Sequence, residues 1–122
     1  MAHPAPSEHS ESAVLTKAVL RAAARLGVRS AALARTIGVS ESQVSRFATG
    51  RTLDPDSKPG QLALLFVRLF RSLDALVGGS EPQARAWLHA HHHALGGTPA
   101  ERIQTPQGLV HVVDYLDALR GR

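Results

Sequence analysis

Glycines divide this sequence into short segments, each of which carries apolar residues at helical spacing. A glycine follows five of these segments, at Gly27, Gly38, Gly50, Gly78–Gly79 and Gly96–Gly97. A glycine in this position can adopt the left-handed conformation that ends a helix. The segments are rich in Ala, Leu and Arg, which favour helix, and few apolar residues alternate as they do in a strand. The sequence therefore predicts an all-α fold, with helices at residues 12–26, 30–37, 41–48, 60–77, 81–94, 99–104 and 106–120.

Three of the predicted helices begin with capping signals. Ser40 and Gln43 have the spacing of a capping box, and so do Thr98 and Glu101, with proline at the first helical position. Thr105 is followed by a proline in the same way.

The stretch "TLDPDSKPG", residues 52–60, is the clearest linker in the chain. It predicts a linker at residues 52–59 between a first half at 12–51 and a second half at 60–122. Residues 1–11 contain Pro, Ser and His without periodicity, and we expect a flexible leader there. A hydrophobic content of 43% can build a core for one domain, or for two small helical ones that share it.

Several classes of protein are disfavoured by what the sequence contains. There is no cysteine, which excludes disulfides and thiolate metal sites. The first residues show no signal peptide, and Arg68 and Arg71 interrupt the most apolar segment, so no membrane span is predicted. We therefore expect a soluble, cytoplasmic protein.

The net charge of +4 is concentrated in the first third of the chain. Residues 52–122 carry seven charges of each sign, whereas residues 12–51 carry seven basic residues against one acid, Glu41. The basic residues are Lys17, Arg21, Arg25, Arg29, Arg35, Arg46 and Arg51. This distribution is typical of a surface that binds a polyanion, and its alternative is the solvated surface of ordinary helices.

Residues 30–47 have the spacing of a helix-turn-helix. Two helices that cross steeply at a short turn need a small residue where they touch, and Ala34 meets that need. Gly38, four residues on, permits the turn, and Val44, six residues further, fills the gap between the helices. The segment from Leu26 to Arg51 resembles the Xre/Cro family of DNA-binding domains, whose members usually dimerise on a palindrome. A helix-turn-helix retained only for packing is the alternative.

The polar residues after the turn fit the exposed face of a recognition helix. Gln can bond adenine in two places, Arg can bond guanine, and hydroxyls can hold phosphates. The DNA-binding residues predicted on this basis are Ser42, Gln43, Ser45, Arg46, Thr49 and Arg51. Gln43 could instead complete the cap with Ser40, and Arg46 could be a solvated charge. Arg51 is better placed for a phosphate than for a base.

The segment "GQLALLFVRLFRSLDALVGG", residues 60–79, is apolar on nearly every side in its first half. Such a helix is either central to the monomer or shared with a partner. We favour a homodimer contact over a purely internal role because the chain is so small.

The sequence from Trp87 to Arg122 carries a second pattern, with Trp87-Leu88, then a Leu-Gly-Gly-Thr-Pro turn at residues 95–99, then Thr-Pro-x-Gly and a final amphipathic helix. This closely resembles the toxin-binding domain of the Xre/MbcA/ParS antitoxins, and together the two resemblances cover about residues 14–122. The histidine cluster departs from that family, where an asparagine or other polar residues are more frequent.

The resemblance implies an antitoxin paired with a RES-domain toxin, an enzyme that degrades NAD. Such an antitoxin closes the entrance of the toxin's active site and represses the shared operon by binding operator DNA. Carried onto this sequence, the covering surface is the end of the last helix and the tail: Tyr115, Arg120, Gly121 and Arg122. A carboxylate terminus could mimic the dinucleotide's phosphates, or the arginines could pair with acidic groups at the rim of the cleft. A frayed C-terminus without a role is the alternative, and we expect Trp87 to belong to the core.

The histidines of "HAHHHA" raise the possibility of a metal site. On a continuous helix, His89 and His93 would lie at i,i+4 spacing and His92 would share their face, a geometry that can bind Zn or Ni. No carboxylate stands near them in sequence, so we predict no metal and no cofactor.

No catalytic constellation stands out, and we expect a binding protein and not an enzyme. Two rivals to the antitoxin remain. One is a stand-alone Xre-type transcriptional regulator whose second half only dimerises or senses a ligand, and the other is a metal-responsive protein built around the histidines.

Overall fold

The computed structural model describes residues 10–121, and its regular segments are all helical, as the sequence predicts. The helices are α1 (Glu11–Leu26), α2 (Ser30–Ile37), α3 (Glu41–Phe47), α4 (Lys58–Leu76), α5 (Glu81–His89), α6 (Pro99–Arg102) and α7 (Pro106–Arg120). A single 3₁₀ turn at His93–Leu95 lies between α5 and α6. The predicted leader lies outside the described residues except for Ser10 and Glu11, which cap and begin α1.

Helix α4 is the centre of the core, and it packs against α1, α2 and α7. Its residues Phe66, Leu69 and Leu73 are completely buried. The facing side of α7 buries Leu109 and Leu116 completely as well. One helix therefore supports both the N-terminal and the C-terminal parts of the chain.

Hydroxyl caps fix where most of the helices begin. The side chains of Ser10, Ser40, Ser57, Ser80 and Thr105 each accept the backbone N–H of the third residue of the helix that follows. Each such cap contributes about 1 kcal/mol because it satisfies a donor that has no partner within the helix.

At two of these caps the residue that donates its N–H is a glycine, and another part of the backbone lies very close to its Cα. A Cβ on Gly108 would lie 1.8 Å from the carbonyl oxygen of Arg102, and one on Gly60 would lie 1.8 Å from that of Asp54. No side chain fits in that space, so these glycines are required by packing and not by their backbone angles.

The predicted helix 81–94 is too long, because α5 ends at His89 and Ala90 is extended. The backbone of His92 then pairs with that of Gly97 in an isolated bridge, and the turn between them closes at Gly96 in the left-handed conformation. This turn places Leu95 in the core, where it is buried. A helix that continued beyond His89 would direct the chain away from the core. Of the predicted pair Gly96–Gly97, only Gly96 has a positive φ.

The predicted helix 99–104 is also too long, since α6 ends at Arg102. The side chain of Thr98 makes no capping bond, so the second predicted capping box is wrong. The first is confirmed, because both bonds between Ser40 and Gln43 are present.

The first half of the chain is tied to the second by polar contacts. Arg85 of α5 donates to the carbonyl oxygens of Ala24 and Arg25 at 2.8 and 2.9 Å, which satisfies acceptors at the end of α1. The Nε2 atom of His89 lies 2.9 Å from the carbonyl oxygen of Leu26. The residues predicted as a linker are also anchored, since the buried Leu53 donates its N–H to the hydroxyl of Thr16.

Candidate functional site

The turn between α2 and α3 has the geometry that the sequence predicts for a helix-turn-helix. The carbonyl of Ala34 accepts the N–H groups of Gly38 and Val39 at 2.9 and 3.0 Å, and Gly38 is left-handed with φ of 76°. Val44 and Phe47 turn into the core, where both are buried. The opposite face of α3 is thereby presented to solvent.

The structure places the six predicted DNA-binding residues on α3 or in the turn that follows it. Gln43 is half-buried and the other five are exposed, namely Ser42, Ser45, Arg46, Thr49 and Arg51. All six lie between Ser42 and Arg51, and we call this stretch, without its buried Val44 and Phe47, the polar segment.

Three of these residues already have structural partners, and one of them is Ser42, whose Oγ lies 3.3 Å from that of Ser40. The Oε1 atom of Gln43 accepts the N–H of Ser40 at 2.9 Å, and the Gln43 N–H donates to the Ser40 hydroxyl at 3.2 Å. Bidentate pairing with adenine uses the same amide oxygen as an acceptor, so Gln43 must either share that oxygen between two donors or leave the cap to reach a base. The hydroxyl of Thr49 donates to the carbonyl of Arg46. The lone pairs of the hydroxyl oxygen can still accept a hydrogen bond from another group.

A further basic residue, on α1, lies next to this segment and was not among the predicted DNA-binding residues. Lys17, Arg51 and Thr52 line one shallow depression between α1 and the end of α3. A cation, a guanidinium and a hydroxyl around a depression can hold a phosphate group. Lys17 belongs to the basic cluster of residues 12–51, but nothing in the sequence indicated that it lies beside Arg51.

The predicted toxin-binding residues have different surroundings. Tyr115 is half-buried, and its ring stacks on Trp87 with the ring centroids 6.5 Å apart. Arg120 instead donates to the hydroxyl of Ser72 on α4, at 3.2 Å. Gly121 continues the helical conformation at the end of α7, and Arg122 lies outside the described residues.

A polar network holds Arg120 against α4. Ser72 is 1% exposed, and its hydroxyl donates to Oδ1 of Asp117 at 3.0 Å. The other carboxylate oxygen of Asp117 accepts from Arg68. A buried hydroxyl and a carboxylate therefore connect two arginines, one on α4 and one in the last turn of α7.

Trp87 belongs to an aromatic cluster at the surface and not to the interior alone. It packs against the core but stays half-buried, with the ring of His92 at 4.6 Å on one side and Tyr115 on another. Trp87 therefore packs against the core, as expected, but also forms part of the surface.

The histidines do not share a helix face, so the geometry considered for a metal site is wrong. Helix α5 ends at His89, and the Nε2 atoms of His89 and His92 lie 2.9 and 2.8 Å from the carbonyl oxygens of Leu26 and Trp87. Within residues 10–121 no group of three or more His, Cys, Asp or Glu side chains is placed to hold a metal ion.

None of the helices in the described part of the chain is long and apolar enough to cross a membrane.

Two family models match the chain, and between them they cover most of it. Residues 5–68 match the antitoxin Xre-like helix-turn-helix domain, and residues 72–122 match the antitoxin Xre/MbcA/ParS C-terminal toxin-binding domain. No curated protein matches the chain. The two matched ranges meet within α4, the helix on which both halves pack. The order of the two domains and the geometry of the turn between α2 and α3 agree with these matches. The chain belongs to the Xre/MbcA/ParS family of antitoxins.

Proposed function

We propose that this antitoxin binds and blocks a RES-domain toxin that degrades NAD, and that it represses its own operon by binding operator DNA. The observation that carries the proposal is the pair of separate exposed surfaces on one helical body. One is the polar segment Ser42–Arg51, and the other is the end of α7. Toxin and DNA then bind at different places on the same chain.

Operator binding rests on the polar segment and the cations around it. Arg46 is exposed on α3 without a contact that occupies its guanidinium among the described residues, and Arg51 shares a depression with Lys17. We assign base contacts to Arg46, to Gln43 when its cap opens, and to Ser42 and Ser45. We assign phosphate contacts to Lys17, Thr49 and Arg51.

Toxin binding is assigned to Tyr115, Arg120, Gly121 and Arg122. A toxin that grips a dinucleotide needs a charged or polar cleft, and arginines at the end of a helix can pair with acidic groups at its rim. The hydrogen bond from Arg120 to Ser72 restricts the guanidinium before the toxin arrives, and this restriction lowers the entropy cost of binding.

The same proposal makes the protein a binding module and not an enzyme, acting in the cytoplasm where its operator is. It also makes the antitoxin a homodimer, since two recognition helices must reach successive major grooves of a palindrome.

The experiment is to co-express the chain with a RES-domain toxin encoded beside it. We expect a stable complex, loss of the toxin's NAD-consuming activity, and a shift of DNA that carries the operon's promoter. Failure to form the complex and to shift the DNA would overturn the proposal. A protein that shifts the promoter DNA but binds no toxin would favour a stand-alone regulator instead.

The assignment to the end of α7 has its own test. Arg120→Ala and Tyr115→Ala should each weaken inhibition of the toxin while the DNA shift stays as in the wild type. The exposed Val110 of α7 supplies a matched control, since Val110→Ala changes the same helix away from its end. Inhibition that is unchanged in both variants would remove the end of α7 from the toxin-binding surface.

A further inference from the structure

Polar side chains join the helix-turn-helix to the toxin-binding domain along one seam. On one side lie the end of α1 and helix α2, which fall within the range of the helix-turn-helix match. On the other side lie α5, α6 and the residues that follow α6, which fall within the toxin-binding match. Arg85 and His89 of α5 contact carbonyl oxygens at the end of α1. A further bond crosses the seam to α2, from Arg35 to Gln104.

The bond between Arg35 and Gln104 is short and well oriented. The Nε atom of Arg35 donates to Oε1 of Gln104 at 2.7 Å, although 69 positions separate the two residues in sequence. The Nε2 atom of Gln104 donates to the carbonyl oxygen of Ala100, at 3.3 Å. Since the oxygen of an amide accepts and its nitrogen donates, the two partners together fix which way the amide faces. Gln104 therefore presents an oriented acceptor to Arg35.

Helix α2 is short, and its position determines that of the base-reading helix α3. Its eight residues pack on α3 and α4. The carbonyl of Ala34, the residue before Arg35, accepts the N–H groups of Gly38 and Val39, so the two helices are joined closely at the turn. A movement of α2 is therefore passed on to α3.

The side of α2 that faces the toxin-binding domain is not closely packed. A depression of about 290 Å³ lies there, lined by residues of both halves of the chain, and Arg35 and Gln104 are among them. Where side chains leave such a space, apolar packing restrains the two halves less than it does in a core. The bond between Arg35 and Gln104 then becomes important for the orientation of α2.

We propose that Gln104 of the toxin-binding domain is a positioning residue for operator binding, which acts through Arg35 to hold α2 and α3 in the orientation that reads DNA. The inference rests on the proposed function, because it concerns the operator binding assigned to α3. A binding surface must be held within about 0.5 Å of its productive geometry, by side chains that packing and hydrogen bonds keep in place. The second half of the chain thus contributes to DNA binding without touching DNA.

The test replaces Gln104 by methionine in the full chain and measures operator affinity by DNA titration at several salt concentrations. Methionine has a similar length but lacks the amide, so we expect operator affinity to fall about three- to tenfold. The slope of log affinity against log salt should stay as in the wild type, because no phosphate contact is lost. Gln107→Met is the matched control, since Gln107 is exposed on α7 and does not line the depression, and it should bind operator like the wild type.

Gln104→Glu distinguishes positioning from direct contact with DNA. The carboxylate keeps an acceptor for Arg35, and a hydrogen bond between two charged groups is stronger than one to an amide. Operator affinity should therefore stay within about twofold of the wild type. If residue 104 instead touched the DNA backbone, the added negative charge would make this variant bind more weakly than Gln104→Met.

A double-mutant cycle with Arg35→Met tests whether Gln104 acts through Arg35. Arg35→Met removes a cation, so any phosphate contact that it makes is lost in the single and in the double variant alike. If Gln104 acts through Arg35, adding Gln104→Met to Arg35→Met should not lower operator affinity further. Additive losses would show that Gln104 acts by another route and would overturn the inference.

Amide exchange of the protein without DNA gives a readout that does not depend on operator binding. Gln104→Met should speed exchange in α2, and Gln107→Met should not. Unchanged exchange in Gln104→Met would overturn the inference, as would wild-type operator affinity in this variant or equal losses in Gln104→Met and Gln104→Glu. A wild type that binds no operator would contradict the proposed function instead, and the exchange measurement would still decide whether Gln104 holds α2.

Discussion

The guanidinium of Arg120 donates a hydrogen bond to the hydroxyl of Ser72, 3.2 Å away, although 48 positions separate the two residues in sequence. That hydroxyl is almost fully buried, and it donates in turn to Asp117, one turn before Arg120 on α7. The last turn of α7 is thus attached to α4 by polar bonds and not only by apolar packing. The end of the toxin-binding domain is therefore held in one orientation.

Ser72→Ala should remove this attachment. The change deletes two hydrogen bonds with little change of volume, and we expect a loss of about 1–2 kcal/mol in the free energy of unfolding, together with weaker inhibition of the toxin. Thr36→Val is the matched control, because the Thr36 hydroxyl is equally buried but bonds only to Ala32 of its own helix. Toxin affinity that falls equally in both variants would show a general loss of stability and no role for Ser72 in positioning Arg120.

Arg46→Ala should weaken operator binding by about 1–3 kcal/mol if it removes a base contact, and it should leave toxin binding intact. The side chain is exposed, so thermal unfolding should be unchanged. The measurement is a DNA titration at fixed salt. Wild-type affinity in this variant would show that the base-reading face of α3 is wrongly assigned.

Gln43→Ala and Gln43→Glu should distinguish the role of Gln43 in the helix cap from its role in DNA binding. Alanine removes the side chain that completes the capping box, so we expect both operator affinity and stability to fall, the latter by about 0.5–1 kcal/mol. Glutamate can keep the cap but brings a negative charge towards the DNA, so it should lower operator affinity while stability is kept. Equal operator binding by Gln43→Glu and the wild type would restrict Gln43 to the cap.

Gly108→Ala should be among the most damaging single changes in the C-terminal half. Its Cβ would meet the carbonyl oxygen of Arg102, so the backbone must shift, at a cost of about 2 kcal/mol or more in the free energy of unfolding. Gly97→Ala is the control in the same region, since its Cβ would meet only the flexible side chain of Arg102 at 3.6 Å. Denaturant unfolding of both variants checks the difference, and equal stabilities would contradict the close approach.

Arg85→Ala should loosen the contact between α5 and the end of α1. The carbonyls of Ala24 and Arg25 lose their side-chain donor, and we expect a loss of about 1–2 kcal/mol and faster amide exchange near the end of α1. Glu81→Gln controls for the other partner of Arg85, because that exposed ion pair is worth about 0–1 kcal/mol. An equal effect of the two changes would assign the stability to the ion pair and not to the carbonyls.

Local chemistry in the sequence determined the all-α class, the helix-turn-helix and the bounds of α2 and α7 to the residue. Glycine stops, hydroxyl caps and the spacing of Ala34, Gly38 and Val44 act between neighbours in the chain, so they can be recognised without knowing the rest of the fold. The same is true of the exposed face of α3, which follows from the two residues that α3 buries. Only the tertiary structure decided that α5 stops at His89, that Arg120 reaches Ser72 and that Arg35 reaches Gln104. These features depend on residues tens of positions apart, and helical periodicity carries no information about which helix a given face will meet.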